Sequence, residues 1–154
     1  MSNEAKILAL RWLSQRSLTV REIRDRLERR GLEAEDIDSA LEDLGKRGYL
    51  NDERVAESEV RRALERHQGP GYVRARLMQR GVESSIREAQ LAMLYAETDW
   101  LAIAEPLRQR YDRSSPTGRA RLIRRMAREG FPASVIRRVA DGERSDIIDG
   151  PEDY

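Results

Sequence analysis

Apolar residues along this chain return every three to four positions, and the pattern built from them itself returns three times. Leu27-Glu28-Arg29-Arg30-Gly31-Leu32 reappears as Leu77-Met78-Gln79-Arg80-Gly81-Val82 and as Met126-Ala127-Arg128-Glu129-Gly130-Phe131. In each copy one apolar residue stands four before the glycine, another stands four earlier (Ile23, Val73, Leu122), and a third follows the glycine directly. This is the end of an amphipathic helix, a glycine terminator and the approach to a new helix. The spacing predicts helices over 5–15, 20–30 and 34–47, then 52–66, 71–80 and 84–96, then 99–111, 116–129 and 133–141. No run alternates apolar and polar residues with β-branched enrichment, so the fold class is all-α. Units this short cannot each bury a large core, so tandem three-helix modules (5–50, 51–97 and 98–141) are expected to stack into an elongated array.

Local signals sharpen the boundaries. Thr19-Val20-Arg21-Glu22 is a capping box for the second helix, and Leu32 with Ile37 has the spacing of a hydrophobic staple for the third. Asn51 or Asp52 can cap the fourth, Gly69-Pro70-Gly71 marks a helix joint, and Ser115 with Pro116 opens the eighth. Pro106 falls inside the seventh helix, where it costs about 3 kcal/mol, so that helix is expected to be bent or interrupted. Beyond Asp141 the periodicity fades, and residues 142–154 read as an acidic disordered tail.

The charge is balanced overall, with 29 basic and 28 acidic residues for a net +1, but it is unevenly placed. Residues 98–140 hold ten arginines against four acids, whereas 141–154 hold six acids against Arg144 alone. Lys6 and Lys46 are the two lysines, so nearly every cation is a planar guanidinium suited to phosphate or carboxylate. An arginine-rich genome produces the same bias. With no cysteine, disulfides and thiolate metal sites are excluded, and with no long apolar run or leader pattern a soluble cytoplasmic protein is expected.

On a helical wheel the eighth helix places Ala120, Leu122, Ile123, Met126 and Ala127 on one side and Arg121, Arg124, Arg125 and Arg128 on the other. Arg121 with Arg125 and Arg124 with Arg128 are repulsive i,i+4 pairs, each costing roughly 0.2–0.5 kcal/mol, so something outside the helix is expected to compensate. Phosphate or an acidic partner surface would do so. The second helix serves as the control, because Arg21, Arg24, Arg26 and Arg29 alternate with Glu22, Asp25 and Glu28 at spacings that neutralise them. The fifth helix is intermediate: Arg74, Arg76 and Arg80 have no acid among them, with Arg74 turned toward the apolar side.

Enzymatic chemistry finds no foothold in these residues. His67 is the single histidine and sits where a helix should end, a position that favours capping over general-base work. Gly69-Pro70-Gly71 lacks the lysine of a phosphate loop, and Asp52 with Glu53 is accounted for by capping. No catalytic residue, metal site or cofactor is expected. Trp12, Trp100 and Tyr111 occupy apolar helix positions and read as core, whereas Tyr49 and Tyr72 lie at helix joints.

Taken together, these motifs resemble the RecX family of recombinase regulators. Gly48-Tyr49-Leu50-Asn51-Asp52-Glu53-Arg54-Val55-Ala56 is similar to that family's GYLDDxRFA junction, with Asn51 and Val55 as departures. Gly69-Pro70 followed by Val73, Leu77 and Arg80-Gly81-Val82 resembles GPxRIxxxLxxKGI, with Tyr72 at a usual arginine, and Arg128-Glu129-Gly130-Phe131 resembles the RGF signature with Glu129 inserted. The resemblance spans about residues 5–141. It implies tandem three-helix modules in a curved, elongated molecule. It also implies binding of the RecA recombinase filament on single-stranded DNA, within its helical groove, with inhibition of its ATPase, strand-exchange and co-protease activities.

The candidate contact residues are therefore Arg121, Arg124, Arg125 and Arg128 for phosphates or an acidic surface, with Tyr49, Arg54, Tyr72, Arg74, Arg76 and Arg80 shaping the middle of the binding surface. Two other readings stay open. One is a direct binder of single- or double-stranded DNA, although an all-arginine stripe lacks the Asn, Gln and Ser variety of base readout. The other is a protein-binding helical scaffold without nucleic acid, favoured by the self-neutralised second helix. Stacked modules without a self-complementary apolar face also predict an elongated monomer. Small-angle scattering is expected to give a radius of gyration above the roughly 15 Å of a compact globule of this length, and a value at that figure rules the array out.

Overall fold

The computed structural model describes residues 3–145, and these are all-helical apart from turns and short connections. The helices are α1 (Glu4–Leu13), α2 (Val20–Arg29), α3 (Ala34–Lys46), α4 (Asp52–Glu65), α5 (Pro70–Gln79), α6 (Ser84–Glu97), α7 (Trp100–Gln109), α8 (Pro116–Arg128) and α9 (Ala133–Ala140). Each lies within two residues of its sequence expectation. Of the expected tail, residues 146–154 lie outside the described residues. Ahead of them Gly142 closes α9, and Ser145 is buried with its hydroxyl donating to Asp99.

The chain divides into two compact units. Among the described residues, one takes 3–58 together with Leu77–Ala89, and the other takes Glu59–Arg76 together with 90–145. In the first, α1, α2 and α3 pack on one another around Leu18, Ile23, Leu27, Ile37 and Leu44, each at most 1% exposed. Trp12 flanks this core and is only half buried. Arg26 and Arg30 lie over its ring at 5.5 and 6.0 Å from the centroid, worth about 0.5–1 kcal/mol each at such a site. In the second unit α7, α8 and α9 pack together, with Leu122 and Met126 fully buried and Trp100 edge-on to Phe131 at 6.2 Å.

The repeated phrase folds the same way three times. Gly31, Gly81 and Gly130 adopt φ of +78°, +75° and +80°, the left-handed region that costs other residues about 1–2 kcal/mol. The residue after each glycine donates its N–H back to the apolar residue five before it: Leu32 to Leu27 (3.3 Å), Val82 to Leu77 (3.0 Å), Phe131 to Met126 (3.1 Å). The glycine itself donates to Glu28, Met78 and Ala127 respectively. These paired bonds satisfy carbonyls that a helix end leaves orphaned, and the apolar residue after the glycine lands on the one beneath it. His67 takes the same position at the end of α4 with φ of +59°, and Gln68 donates to Ala63 at 2.9 Å.

Two of the three closures dock onto the start of another helix. In the first unit the Thr19 hydroxyl, fully buried, accepts the Glu22 N–H (3.1 Å) and donates to the Arg80 carbonyl (2.7 Å). Glu22 completes the capping box by accepting the Thr19 N–H at 2.9 Å. In the second unit Gly69 donates to the Glu129 carbonyl (2.7 Å) and Gly71 to the Gly130 carbonyl (2.9 Å). The positions correspond: the residue capping one helix meets the residue that ends the other. Asn51, rather than Asp52, caps α4, accepting the Arg54 N–H at 3.1 Å, and Asp52 is left to accept the Val20 N–H at 3.0 Å.

Of the two outcomes expected for α7, bent or interrupted, interruption does not occur: the helix runs on through Pro106. Burial of Trp100, Leu101, Ala104 and Leu107 along one face, at about 1.5–3 kcal/mol for each large side chain, offsets the hydrogen bond that proline cannot make.

The docked and undocked glycines give a ranked prediction. A Cβ on Gly31 meets nothing within 4 Å, on Gly81 it falls 2.3 Å from the flexible Arg21 side chain, and on Gly130 it falls 2.1 Å from the Tyr72 backbone nitrogen. Urea unfolding should therefore show Gly31→Ala losing about 1–2 kcal/mol for its positive φ. Gly130→Ala should lose about 1–3 kcal/mol more from overlap with unyielding backbone, with Gly81→Ala between them. Equal losses at all three positions would mean that the docking contributes nothing.

A second prediction concerns Glu22. Burial raises its pKa, but the hydrogen bond from the Thr19 backbone and the Arg80 guanidinium outweigh it and hold the carboxyl below its ordinary 4.5. A carboxyl depressed in the folded state stabilises at neutral pH, and that contribution is lost as pH falls below the ordinary value. Glu22→Gln keeps a capping acceptor but loses the charge. The gap in urea midpoint between wild type and Glu22→Gln should shrink between about pH 7 and about pH 3.5, and a gap that does not shrink contradicts the assignment.

Candidate nucleic-acid interface

Helix α8 is built to hold one face in the core and offer the other. Ser115 caps it, its hydroxyl accepting the Gly118 N–H at 3.2 Å, and Pro116 supplies the first helical residue. Gly118 sits so near the Asp112 carbonyl that a Cβ would lie 2.0 Å away, which fixes how α8 leaves the preceding turn. Leu122 and Met126 are fully buried, while Arg121, Arg124 and Arg128 are exposed. With Tyr111 and Ala127 these three arginines line a cleft of about 500 Å³ that has no acidic residue in its wall. Among the described residues none of the three forms an ion pair.

Three side chains correct the wheel. Arg125 is not part of the open stripe: it is half buried, its Nε donating to Glu129 at 3.0 Å. It stands at the edge of the arginine arc one turn before Glu129, so the acid claims it. Ala127 is exposed beside the cleft instead of covered. Tyr111, read as core from its place among apolar helix positions, is half buried and lines the cleft, because α7 ends at Gln109 and its register does not carry that far.

The other candidates fall into separate places. Tyr49, 55% exposed, and exposed Arg54 share a groove of about 310 Å³ in the first unit with Leu10, Leu13, Leu18 and Val55. Tyr72 and Arg76 line a groove of about 270 Å³ in the second unit with Arg62 and Arg66, two residues the periodicity did not single out. That groove already contains an acid: Glu59 is 5% exposed and pairs with Arg76 at 3.5 Å. Arg74 is exposed rather than turned to the apolar side, and does not line the groove. Arg80 is 8% exposed, and its guanidinium donates to Glu22 and to the Ser17 carbonyl, both at 2.9 Å. It clamps the docked closure of α5 and offers no open cation, which the sequence spacing could not reveal because both partners lie about sixty residues away.

The control helix also behaves differently from its wheel. Arg24 of α2 pairs with Asp38 of α3 at 2.8 Å, Glu22 with Arg80, and Arg26 lies over Trp12. These three are met by neighbours across the fold rather than along the helix. Among the described residues no group of three or more His, Asp or Glu is placed to hold a metal, and no helix is long and apolar enough to cross a membrane.

Comparison with known proteins agrees with this architecture. Family models described as the first and second three-helix domains of RecX match residues 5–44 and 51–91. The regulatory protein RecX of Halorhodospira halophila is 36% identical over 97% of this chain and 94% of its own length. That of Acidithiobacillus ferrooxidans is 33% identical over 89% of each. The crystal structure of RecX from Lactobacillus salivarius superposes with a TM-score of 0.77 at 24% identity, covering 90% of this chain and 94% of that one. With the helix closures, the junction after Gly48 and the capped joint at Gly69 all in place, the chain belongs to the RecX family of regulatory proteins.

Proposed function

We propose that this protein binds the RecA recombinase filament assembled on single-stranded DNA and restrains its ATPase, strand-exchange and co-protease activities. It would act as a cytoplasmic monomer of three modules (5–50, 51–97 and 98–141). Membership of a regulatory family supports a non-enzymatic role. The observation that carries the reading is the set of exposed arginines on α8, Arg121, Arg124 and Arg128, with no ion-pair partner among the described residues. Three adjacent guanidiniums facing solvent repel one another, and a polyanion relieves that repulsion. Arg125 contributes less, being held by Glu129. Tyr49 with Arg54, and Tyr72 with Arg76, supply further surface to the protein side of the filament. The stripe carries arginine without Asn, Gln or Ser, which suits phosphate contact over base readout.

The deciding measurement is DNA-dependent ATPase of the cognate recombinase, titrated with this protein at several salt concentrations. Arg121, Arg124 and Arg128 replaced together by Gln should leave the melting temperature unchanged or slightly raised. Inhibition should weaken, and the slope of log affinity against log salt should flatten by about 0.7 for each phosphate that is no longer neutralised. Arg24 and Arg26 replaced by Gln should cost stability, through Asp38 and Trp12, with little effect on inhibition. Equal loss of inhibition from both sets, or none from either, removes the α8 face from the function.

A further inference from the structure

We infer that Tyr111 is a base-stacking platform, and that the cleft it shares with Arg121, Arg124 and Arg128 takes unpaired nucleotides of a single strand in preference to duplex. This deepens the filament reading and rests on its arginine face, but it assigns that face a direct nucleic-acid ligand and names the residue that selects it.

Three observations converge on Tyr111. It stands just beyond the last turn of α7, its N–H donating to the Arg108 carbonyl at 3.4 Å, so it is anchored by backbone at the rim of the cleft. Among the described residues it takes part in no ring–ring or cation–π contact and its hydroxyl has no hydrogen-bond partner, in contrast with Trp12, Trp100 and Phe131, whose rings are all engaged. And it faces a wall of cations with no acid, in a volume of about 500 Å³ that falls within the range of small-ligand sites.

The chemistry of the wall selects the ligand. Arg121, Arg124 and Arg128 rise along α8 by about 4.5 and then about 6 Å, so the row can meet more than one phosphate of an extended strand. Each guanidinium offers a planar fork of donors matched to phosphate oxygens. An acidic peptide would satisfy the charges but leave the phenol ring without a flat partner. A duplex would satisfy the phosphates, yet its bases are already stacked on one another and cannot reach the ring. An unpaired base can leave its strand and lie on Tyr111 while the flanking phosphates lie on the arginines, which is how sequence-tolerant single-strand sites are built. The groove around Tyr72 lacks this balance, because buried Glu59 already pairs with one of its arginines.

The test uses the full chain without recombinase. Fluorescence anisotropy with a short oligo-dT strand and with a duplex of the same length should show Tyr111→Ala weakening single-strand affinity about 5- to 100-fold. Duplex affinity should stay within about twofold, and Tyr111→Phe should restore the wild-type value because the ring is kept. If Tyr111→Ala unfolds, photocrosslinking an oligo-dT carrying 5-iodouracil to the unmutated protein should place the crosslink on Tyr111. Unchanged single-strand affinity in Tyr111→Ala, equal loss for strand and duplex, or a crosslink mapped elsewhere overturns the inference. Loss of ATPase inhibition in the triple arginine variant, with oligo-dT binding indifferent to Tyr111, would leave the filament reading standing and this one refuted.

Discussion

A helix that ends in a left-handed residue and is then met by the first turn of another helix is the contact on which this molecule depends. Ending a helix exposes carbonyls, and beginning one exposes N–H groups. Here the two deficits are set against each other. Gly69 and Gly71 donate to the carbonyls of Glu129 and Gly130, and the buried Thr19 hydroxyl donates to that of Arg80. The approach is so near that only glycine fits at 69 and 130, where a Cβ would lie 2.5 and 2.1 Å from backbone atoms. Glycine is thus required at Gly130 for two reasons: its left-handed conformation and the backbone that lies against it. At Gly31, where no helix start docks, only the first reason holds.

The docked joint also explains where the chain places its polar residues. Thr19, Glu22, Arg80 and Asp52 are drawn together at the joint in the first unit, where the Arg80 guanidinium meets Glu22 and the Ser17 carbonyl, and Asp52 accepts from Val20. Burial, together with the nearby negative charges of Glu22 and Glu83, pushes the Asp52 carboxyl above its ordinary range, while the Thr19 backbone and Arg80 pull Glu22 below it. Two acids within one joint therefore respond to acidification in opposite senses. Acid weakens what Glu22 contributes, whereas Asp52 binds its proton more readily folded than unfolded. In the second unit Glu105 and Arg108, one turn apart and both buried, satisfy each other within α7.

The α8 face stands apart from this pattern. Several arginines elsewhere in the fold are bound to a carboxylate, laid over an indole or folded into a joint: Arg24 on Asp38, Arg26 on Trp12, Arg80 on Glu22, Arg125 on Glu129. Arg121, Arg124 and Arg128 are left outward with an idle aromatic ring beside them. Their helix tolerates the mutual repulsion because its opposite face buries Leu122 and Met126 completely, and because Ser115 and Pro116 secure its first turn. Packing thus supplies the stability that allows the outer face to be chosen for charge.

The helices, their ends and the family resemblance are all legible in the order of the residues. Those features are local: a glycine four residues past an apolar position, a threonine three before a glutamate, a proline after a serine each act within one turn of backbone, and they foretold the left-handed glycines and the capping box where the structure has them. The same order draws attention to α8, because four arginines on one arc are visible on any wheel. It could not decide which charges remain open once the helices meet. Arg80 and Arg74 follow one another along the same stretch of chain with similar neighbours, yet one is clamped by Ser17 and Glu22 and the other lies at the surface. Tyr111 has the spacing of a core residue, and the end of α7 turns it to the rim of the cleft. Backbone conformation follows from residues a few positions away, whereas the burial of a long side chain and the partner of its charge depend on residues about sixty positions distant that only the folded chain brings within hydrogen-bond reach.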